Sequence, residues 1–384
     1  MLHEFCLLTG ATGLVGQYLM RDLLLAGQPL VVIARGKRKW SAEQRIEEIL
    51  QQWEQRLGTI IPRPKVLEGD IALPDLGITA DDKQWLKRHC GKMIHNAALL
   101  KFKSLGGDRA TTEPWRTNLG GAQNALRLTE ECDIREMHYL STAYVCGNRD
   151  DYVMESDFDK QQGFRNDYED SKWHAEKAVR DATHFDSTTI YRPVVISGDS
   201  NTGYTSTYHG LYVYLRLFAM LIPQQDRDDD GVIQTRVKVP MKGDSTLNIV
   251  PVDWVSDVFC EIFKRPECHG KTYHLAPEKC LTPSQFIDAC YDYFDSDGVE
   301  FCDKDDVSPS DNPEFANTIL EQVAVYQDYE SLDPRFDRSN LEAVAGHLPC
   351  PEIDADMIHR YLDFGYQDGW GKKKADKPAL QATD

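Results

Sequence analysis

The chain has 384 residues, of which 41% are hydrophobic and 27% charged, as is ordinary for a soluble globular protein. Its formal net charge of −19 argues against nucleic acid or an anionic membrane surface as a partner. The ten cysteines form no CxxC pair and no zinc-type spacing, so we expect reduced thiols in a cytoplasmic protein and no metal. The amino terminus does not resemble a signal peptide, and the apolar stretch 211–222 is too short to span a bilayer.

Apolar strand-like runs alternate with helical patterns from the start of the chain. Predicted strands lie at 4–8, 29–34, 65–71, 92–98, 136–142 and 187–197, and predicted helices begin near residues 14, 41, 114 and 168. Such alternation implies right-handed crossovers and a parallel sheet. We therefore predict an α/β fold with a Rossmann-type, doubly wound parallel sheet.

The regular alternation stops after Gly198 and returns for one strand and one helix at 247–263. We assign 1–198 and 246–275 to the Rossmann domain and 199–245 with 276–370 to a smaller, mostly helical, substrate-binding lobe. Residues 371–384 are predicted to form a disordered tail.

Three glycines mark the junction of the first strand and the first helix. In LLTGATGLVG (7–16) they have the spacing GxxGxxG, which permits a tight turn, a close approach to a pyrophosphate and close helix packing. The helix amino terminus then offers free N–H groups to phosphates. A glycine-rich turn in an unrelated α/β protein is the alternative. The residues predicted to bind the dinucleotide here are Thr9, Gly10, Thr12, Gly13, Leu14, Val15 and Gly16.

The second strand ends in a basic turn, VVIARGKRKW (31–40). Sites for NAD usually carry an acidic residue here, whereas this chain has Arg35, followed by Arg38 within a cluster of four basic residues. Because a guanidinium can pair with a 2′-phosphate and no carboxylate is expected nearby, we predict NADPH as the cofactor. A solvated basic turn is the alternative.

The ends of the third and fourth strands supply further candidate cofactor contacts. Asp70 is expected to hydrogen-bond the adenine amine, and the small residues of HNAA (95–98) let a dinucleotide lie against the backbone. The residues predicted to line the cofactor here are Asp70, Ile71, Asn96, Ala97 and Ala98.

A tyrosine and a lysine lie four residues apart in YEDSKWHAEK (168–177), so on a helix they share one face. We expect the Lys172 ammonium to lower the pKa of Tyr168 from its usual value near 10, and to bind the nicotinamide ribose. YLSTAYVCG (139–147) supplies a hydroxyl at the end of the fifth strand, from Ser141 or Thr142. Cys146 is interpreted as a small core residue rather than as a nucleophile.

These motifs, with IHNAALLKF, TNLGGAQNAL and IYRPVVISGDSNTG, resemble the extended short-chain dehydrogenase/reductase superfamily, and within it the thioester-reductase and fatty acyl-CoA reductase branch. The similarity covers residues 5 to about 205 and 249–258. It favours Thr142 over Ser141, because the catalytic hydroxyl of extended reductases lies five residues before a glycine, here Gly147. It also implies that Asn118 steadies the sheet near the nicotinamide and that Arg192 and Pro193 lie by its reactive end.

The resemblance implies an NADPH-dependent reductase that transfers hydride to an acyl thioester, on coenzyme A or an acyl carrier protein, and forms an aldehyde. Onward reduction to the alcohol and the oligomeric state are left open. Thr142 and Tyr168 would stabilise the oxyanion, and Tyr168, assisted by Lys172, would protonate it. The alternatives are a carbonyl reductase or epimerase acting on a free small molecule, and a non-catalytic NADP-binding regulatory subunit. An acidic carrier would need a basic patch, for which Lys101, Lys103 and residues 35–39 are the candidates.

Overall fold

The structure is a computed structural model that describes residues 4–102, 108–159, 163–302, 312–314, 317 and 333–371. Lys103 and, apart from Gly371, the predicted tail 371–384 lie outside the described residues.

Strands and helices alternate through the first part of the chain. The strands of the described residues are β1 (Phe5–Thr9), β2 (Leu30–Ala34), β3 (Lys65–Glu68), β4 (Cys90–His95), β5 (Glu136–Leu140), β6 (Tyr152–Val153), β7 (Ser187–Pro193), β8 (Val195–Ser197), β9 (Ile233–Val239), β10 (Ile249–Pro251), β11 (Thr272–Leu275), β12 (Ser296–Phe301) and β13 (Arg335–Phe336). The described α-helices are α1 (Leu14–Leu25), α2 (Ala42–Leu57), α3 (Ala80–His89), α4 (Gly121–Glu131), α5 (Asp167–Asp181), α6 (Leu211–Leu221), α7 (Val252–Phe263), α8 (Pro283–Tyr293), α9 (Ser339–Ala345) and α10 (Ala355–Asp368).

Seven parallel strands form one sheet in the order β11-β7-β5-β4-β1-β2-β3. The Rossmann-type fold is therefore confirmed. Because the chain leaves β3 at one edge and re-enters the sheet at β4 beside β1, the strand order reverses between β1 and β4. The carboxyl ends of two such strands are where doubly wound sheets bind dinucleotides. Buried side chains of the strands and helices, including Leu7, Val31 and Met93, form the core around the sheet.

Several predicted strands end earlier in the structure, because their last residues already belong to turns at the carboxyl edge. The strand predicted at 65–71 ends at Glu68, and that predicted at 92–98 ends at His95. The helix predicted near 114–131 is a π-helical turn over Arg116–Gly120 followed by α4. Ser41 caps α2 as expected, with its hydroxyl accepting a hydrogen bond from the Gln44 N–H at 3.2 Å.

The chain divides into two compact units, of which the larger comprises 1–196, 245–280 and 327–352 and the smaller 197–244, 281–326 and 353–384. The assignment of 276–370 to the smaller lobe was wrong for residues 276–280 and for the described residues 333–352, which belong to the larger unit. In the described part of that segment, β13 pairs with β6 in parallel and α9 packs on α7 and β11. These long-range contacts have no local signature in the sequence.

In the smaller unit, α10 packs on α6 and α8, and β9 pairs with β12 as a short parallel ladder. The prediction of a mostly helical lobe missed that ladder. Tyr204 and Tyr212 are buried and pack on Phe364 and Tyr361, so both side chains belong to the core of this unit. No helix in the part of the chain that the structure describes has both the length and the hydropathy needed to span a membrane.

Candidate active site

The glycine turn between β1 and α1 is shaped by backbone crowding. Gly10 has φ +76°, and a Cβ there would lie 2.8 Å from both the Ala97 nitrogen and Asn96 Nδ2. A Cβ on Gly16 would collide with the Gly10 carbonyl. Both positions therefore require glycine, the first for its left-handed conformation and both for space.

The amino terminus of α1 is left open towards the turn. Gly13 is the N-cap and is solvent-exposed, and no side chain of the described residues caps the helix or adds an acidic group to its first turn. Thr12, Leu14 and Val15 around it are half-buried. Uncapped N–H groups and the positive end of the helix dipole suit a phosphate.

The carboxyl ends of β1 and β4 are joined by side-chain hydrogen bonds. The Thr9 hydroxyl lies 2.9 Å from His95 Nδ1 and accepts a hydrogen bond from the Ala97 N–H at 3.3 Å. Asn96 donates its amide to the Gly10 carbonyl at 3.2 Å, and Ala98 is exposed. Thus the glycine turn and the HNAA segment form one surface at the switch point.

The basic turn after β2 has acidic neighbours. Arg35 is 70% exposed and its Nη1 lies 3.6 Å from Asp70 Oδ2, and Arg38 is exposed with φ +57°. Glu68 Oε1 would lie 2.9 Å from a Cβ on Gly36. The expectation that no carboxylate lies near this turn was therefore wrong. The register that pairs Ala34 with Glu68 brings the acidic end of β3 beside the basic end of β2.

Asp70 and Ile71 are held within the chain. Asp70 Oδ1 accepts a hydrogen bond from the Ala72 N–H at 3.0 Å. The Ile71 carbonyl accepts a hydrogen bond from the Asn124 side-chain amide at 2.7 Å, and the Ile71 side chain lies against Gly121 of α4. Ile71 therefore packs between the sheet edge and α4.

The three predicted catalytic residues come from β5 and α5. Thr142 follows β5 and caps a 3₁₀ turn over Ala143–Cys146. Its side chain interacts with that of Tyr168, which lies in the first turn of α5 and is half-buried. Lys172 follows one turn later and is buried, with Nζ donating to Tyr139 Oη at 3.0 Å and to the Leu140 carbonyl at 2.7 Å.

The pKa values of the pair differ from the sequence-based expectation. Burial raises the pKa of Tyr168 to about 12, the Glu169 charge adds to this, and the side-chain interaction with Thr142 opposes it. Burial also lowers the pKa of Lys172 to about 7, against the opposing charge of Glu176. The expected lowering of the Tyr168 pKa by Lys172 is not observed: burial has the largest effect on this pKa, and Lys172 is not among the groups that shift it. Tyr168 is consequently a neutral phenol near pH 7, and Lys172 titrates there.

Asn118 links the segment after β4 to the catalytic helix. Its Oδ1 accepts a hydrogen bond from the Leu99 N–H at 2.8 Å, and its Nδ2 donates to the Leu99 carbonyl and to Ser171 Oγ. Ser171 in turn donates to the Tyr168 carbonyl at 2.8 Å. Asn118 thereby steadies the first turn of α5, and Ser171 is a contributor that the sequence motifs did not identify.

Arg192 does not present its side chain to a cofactor. It is 1% exposed, donates to both carboxylate oxygens of Glu176 and to the Asp157 carbonyl, and so forms a buried ion pair under α5. Burial raises the pKa of Glu176, but the charge and hydrogen bonds of Arg192 outweigh it and hold the value at about 2. The prediction that Arg192 lies by the reactive end of the cofactor is corrected: its side chain stabilises the fold through Glu176 and the Asp157 carbonyl. Pro193 does lie by the site, since its carbonyl is 3.4 Å from the Thr142 hydroxyl.

A family model described as the male sterility protein, an NAD-binding domain, matches residues 8–259 of this chain. The chain belongs to this family. Together with the glycine turn and the Thr142, Tyr168 and Lys172 arrangement, membership makes it an extended short-chain dehydrogenase/reductase and an oxidoreductase that uses a nicotinamide cofactor.

Two curated relatives of this chain are much longer than it is. It is 25% identical to one of the linear gramicidin synthase proteins of Brevibacillus parabrevis, over 94% of this chain and 7% of that protein. It is 27% identical to the L-2-aminoadipate reductase large subunit of Penicillium chrysogenum, over 73% of this chain and 20% of that protein. The crystal structure of the terminal R domain from the myxalamid PKS-NRPS pathway matches with a TM-score of 0.73 and 25% identity, over 98% of this chain and 93% of that one. The chain thus spans only a small part of the length of the two curated relatives.

Cys146 is a core residue in this member of the male sterility family. Its side chain is 8% exposed, and burial raises the pKa of the thiol to about 12. A thiol of such high pKa is a poor nucleophile at neutral pH. The interpretation of Cys146 as a packing residue is confirmed.

One group of metal-type ligands converges within the described residues, and the sequence motifs gave no indication of it. Glu136 Oε1 lies 2.8 Å from His138 Nε2 and 3.3 Å from His269 Nδ1. Lys92 Nζ lies 2.9 Å from the same oxygen and supplies a positive charge. Glu136 begins β5 whereas Thr142 follows its end, so this network is at the opposite end of the strand from the catalytic residues.

Proposed function

We propose that this male sterility family protein reduces an acyl thioester to an aldehyde with NADPH. The Thr142 and Tyr168 side chains, which interact between the end of β5 and the first turn of α5, support the proposal most directly. Two O–H groups that converge at the end of β5 can both donate to one carbonyl oxygen, and one of them can also donate its proton.

The cofactor, when bound, supplies the hydride that adds to the thioester carbonyl carbon. Thr142 and Tyr168 then stabilise the oxyanion through their O–H groups, and Tyr168 is available as an acid because its pKa of about 12 keeps it protonated. Proton transfer from Tyr168 gives a hemithioacetal, which collapses to an aldehyde and a free thiol. The tyrosinate is reprotonated from solvent, so one proton and one hydride are consumed per turnover.

The cofactor-binding residues are proposed from their placement. The open amino terminus of α1 suits the pyrophosphate, with the Gly10 turn allowing its close approach. For the 2′-phosphate we propose Arg35 and Arg38, with Arg35 exchanging its ion pair with Asp70 for the phosphate. An exposed ion pair at 3.6 Å is weak enough to be exchanged in this way.

The relatives support a thioester rather than a free carbonyl substrate. A putative fatty acyl-CoA reductase of Drosophila melanogaster is among them, and acyl-coenzyme A is a thioester. We propose that an acyl group on a carrier protein or on coenzyme A meets this chain as a separate molecule. The exposed basic turn after β2 would also contact an acidic carrier or the phosphates of coenzyme A.

The test is turnover of the purified chain with NADPH and two substrate panels. One panel contains acyl-coenzyme A and acyl-carrier thioesters, and the other contains aldehydes and ketones. We expect one free thiol and one aldehyde for each NADPH oxidised with the first panel. Oxidation of NADPH only with the second panel, without thiol release, would identify a carbonyl reductase instead.

A further inference from the structure

The ammonium of Lys172 is held by two acceptors on β5. Nζ donates to Tyr139 Oη at 3.0 Å and to the Leu140 carbonyl at 2.7 Å, and it lies 4.5 Å from the centroid of the Tyr139 ring. Among the described residues these are its hydrogen-bond acceptors. Because an ammonium has three N–H donors, one remains for a ligand.

Tyr139 is itself rigidly placed. It is 1% exposed, and its ring stacks on His95 with centroids 5.8 Å apart and planes 13° apart. His95 is tied through Nδ1 to the hydroxyl of Thr9, next to the glycine turn. A continuous set of contacts therefore runs from the dinucleotide-binding turn to the catalytic lysine.

The charged and titratable groups around Lys172 give the ammonium little other support. Glu176 favours the charged form, but its carboxylate is already paired with Arg192. Burial and the Lys172 charge lower the pKa of His95 to about 3, so His95 is neutral. Burial raises the pKa of Tyr139 well above its usual value, with the charges of Glu176 and Tyr168 adding to this, so Tyr139 remains a neutral hydroxyl. The ammonium thus depends strongly on its two neutral acceptors.

We propose that Tyr139 is a positioning residue, whose hydroxyl keeps Lys172 charged and leaves its third N–H for the nicotinamide ribose. Tyr139 reaches the reaction only through Lys172 and contacts neither substrate nor the reacting atoms. The kcat/KM measurements that test this inference rest on the proposed function. The measurements of NADP binding do not depend on it.

Tyr139→Phe removes the hydroxyl and keeps the ring that stacks on His95. Loss of an acceptor destabilises the protonated lysine, so the pKa of Lys172 falls and its charge is lost at lower pH. We expect the alkaline limb of the kcat/KM profile, and that of NADP affinity, to move to lower pH by about one unit, which gives about a tenfold loss at a fixed pH on that limb.

Tyr273→Phe is the matched control. Tyr273 is equally buried in the same sheet, and its hydroxyl donates to the Cys268 carbonyl at 2.5 Å, away from Lys172. Both variants lose one buried hydrogen bond, so we expect similar losses in melting temperature, with the pH profiles moved only by Tyr139→Phe. Profiles of Tyr139→Phe that superimpose on the wild type would overturn the inference.

Two further arms separate the possible failures. If Tyr139→Phe does not fold, Tyr139→Met fills the same space with a more adaptable side chain and gives the same comparison. If the wild type turns over no thioester, the proposed function fails, while the pH dependence of NADP binding still tests Tyr139. A shift in the pH dependence of NADP binding in Tyr139→Phe, but not in Tyr273→Phe, supports the inference independently of the reaction.

Discussion

The catalytic end of β5 and the basic turn after β2 are both rich in polar groups, yet their surroundings are opposite. Lys172 is 2% exposed and hydrogen-bonded on β5, whereas Arg35 is 70% exposed and pairs loosely with Asp70. Electrostatic interactions are strong in a dry environment and weak in a solvated one. Substitutions at the first region should therefore be costly, and those at the second should be modest and specific to one cofactor.

The largest effect is expected for Tyr168→Phe. The variant keeps the aromatic ring that packs edge-on against Phe102 and removes the proposed acid. We expect kcat to fall by about 10³-fold, since positioned acid–base groups typically contribute 10²–10⁴-fold. Steady-state kinetics measure the loss, and an unchanged NADPH dissociation constant is the control. A kcat within a few-fold of the wild type would remove Tyr168 from the mechanism.

Gly10→Ala should be costly for a different reason, namely backbone crowding. Gly27→Ala is a matched control, because Gly27 also has positive φ, at +82°, but its added Cβ would meet nothing within 4 Å. We expect Gly10→Ala to lower the free energy of unfolding by about 1–3 kcal/mol more than the control does, and to weaken NADPH binding. Denaturant titrations of the two variants measure the difference. Equal losses would show that the Ala97 and Asn96 contacts at Gly10 do not matter.

At the basic turn, Arg35→Ala should raise the KM for NADPH by about tenfold, the loss typical of one partly exposed charge-assisted contact. The KM for NADH should stay within about twofold, because NADH has no 2′-phosphate. Kinetics with both cofactors check this directly. Equal changes in KM for NADPH and NADH would mean that Arg35 contacts the adenosine but does not bind the 2′-phosphate.

The smallest effect is expected in the pH dependence of stability. Since the pKa of Lys172 is about 7 in the folded protein and near its ordinary value of 10.5 when unfolded, the unfolded chain binds more protons between these values. Stability should therefore rise with pH above about 7, and the deprotonation of Lys172 in the folded protein contributes to this rise. Unfolding of the wild type and of Lys172→Met at pH 7 and pH 8.5 should show the steeper rise in the wild type. Parallel slopes would contradict a buried lysine of lowered pKa.

Those features of the fold and the site that are local sequence patterns could be predicted, whereas those that depend on burial could not. The glycine spacing, the alternation of strands and helices and the pairing of Tyr168 with Lys172 are local patterns, and the structure places them as expected at one edge of a parallel sheet. The sign of the Tyr168 pKa shift was not predictable, because it depends on how deeply α5 buries the phenol. The ion pair of Arg192 with Glu176 was hidden likewise, since strand alternation does not say which face an arginine takes.

Contacts between segments that are distant in the sequence could not be predicted either. The carboxylates of Glu68 and Asp70 lie by the basic turn only because β2 and β3 pair in their observed register. Residues 335–336 join the larger unit by pairing with β6, more than 180 positions earlier in the chain. Neither pairing leaves a periodic signal in one sequence, whereas the catalytic helix does.

Deuterium transfer tests the central claim most directly. With NADPH fully deuterated at nicotinamide C4 and an acyl thioester substrate, the account predicts one deuterium on the aldehyde carbon and one free thiol for each cofactor oxidised. An aldehyde that carries no deuterium, or cofactor oxidation without thiol release, would contradict hydride transfer to a thioester at Thr142 and Tyr168.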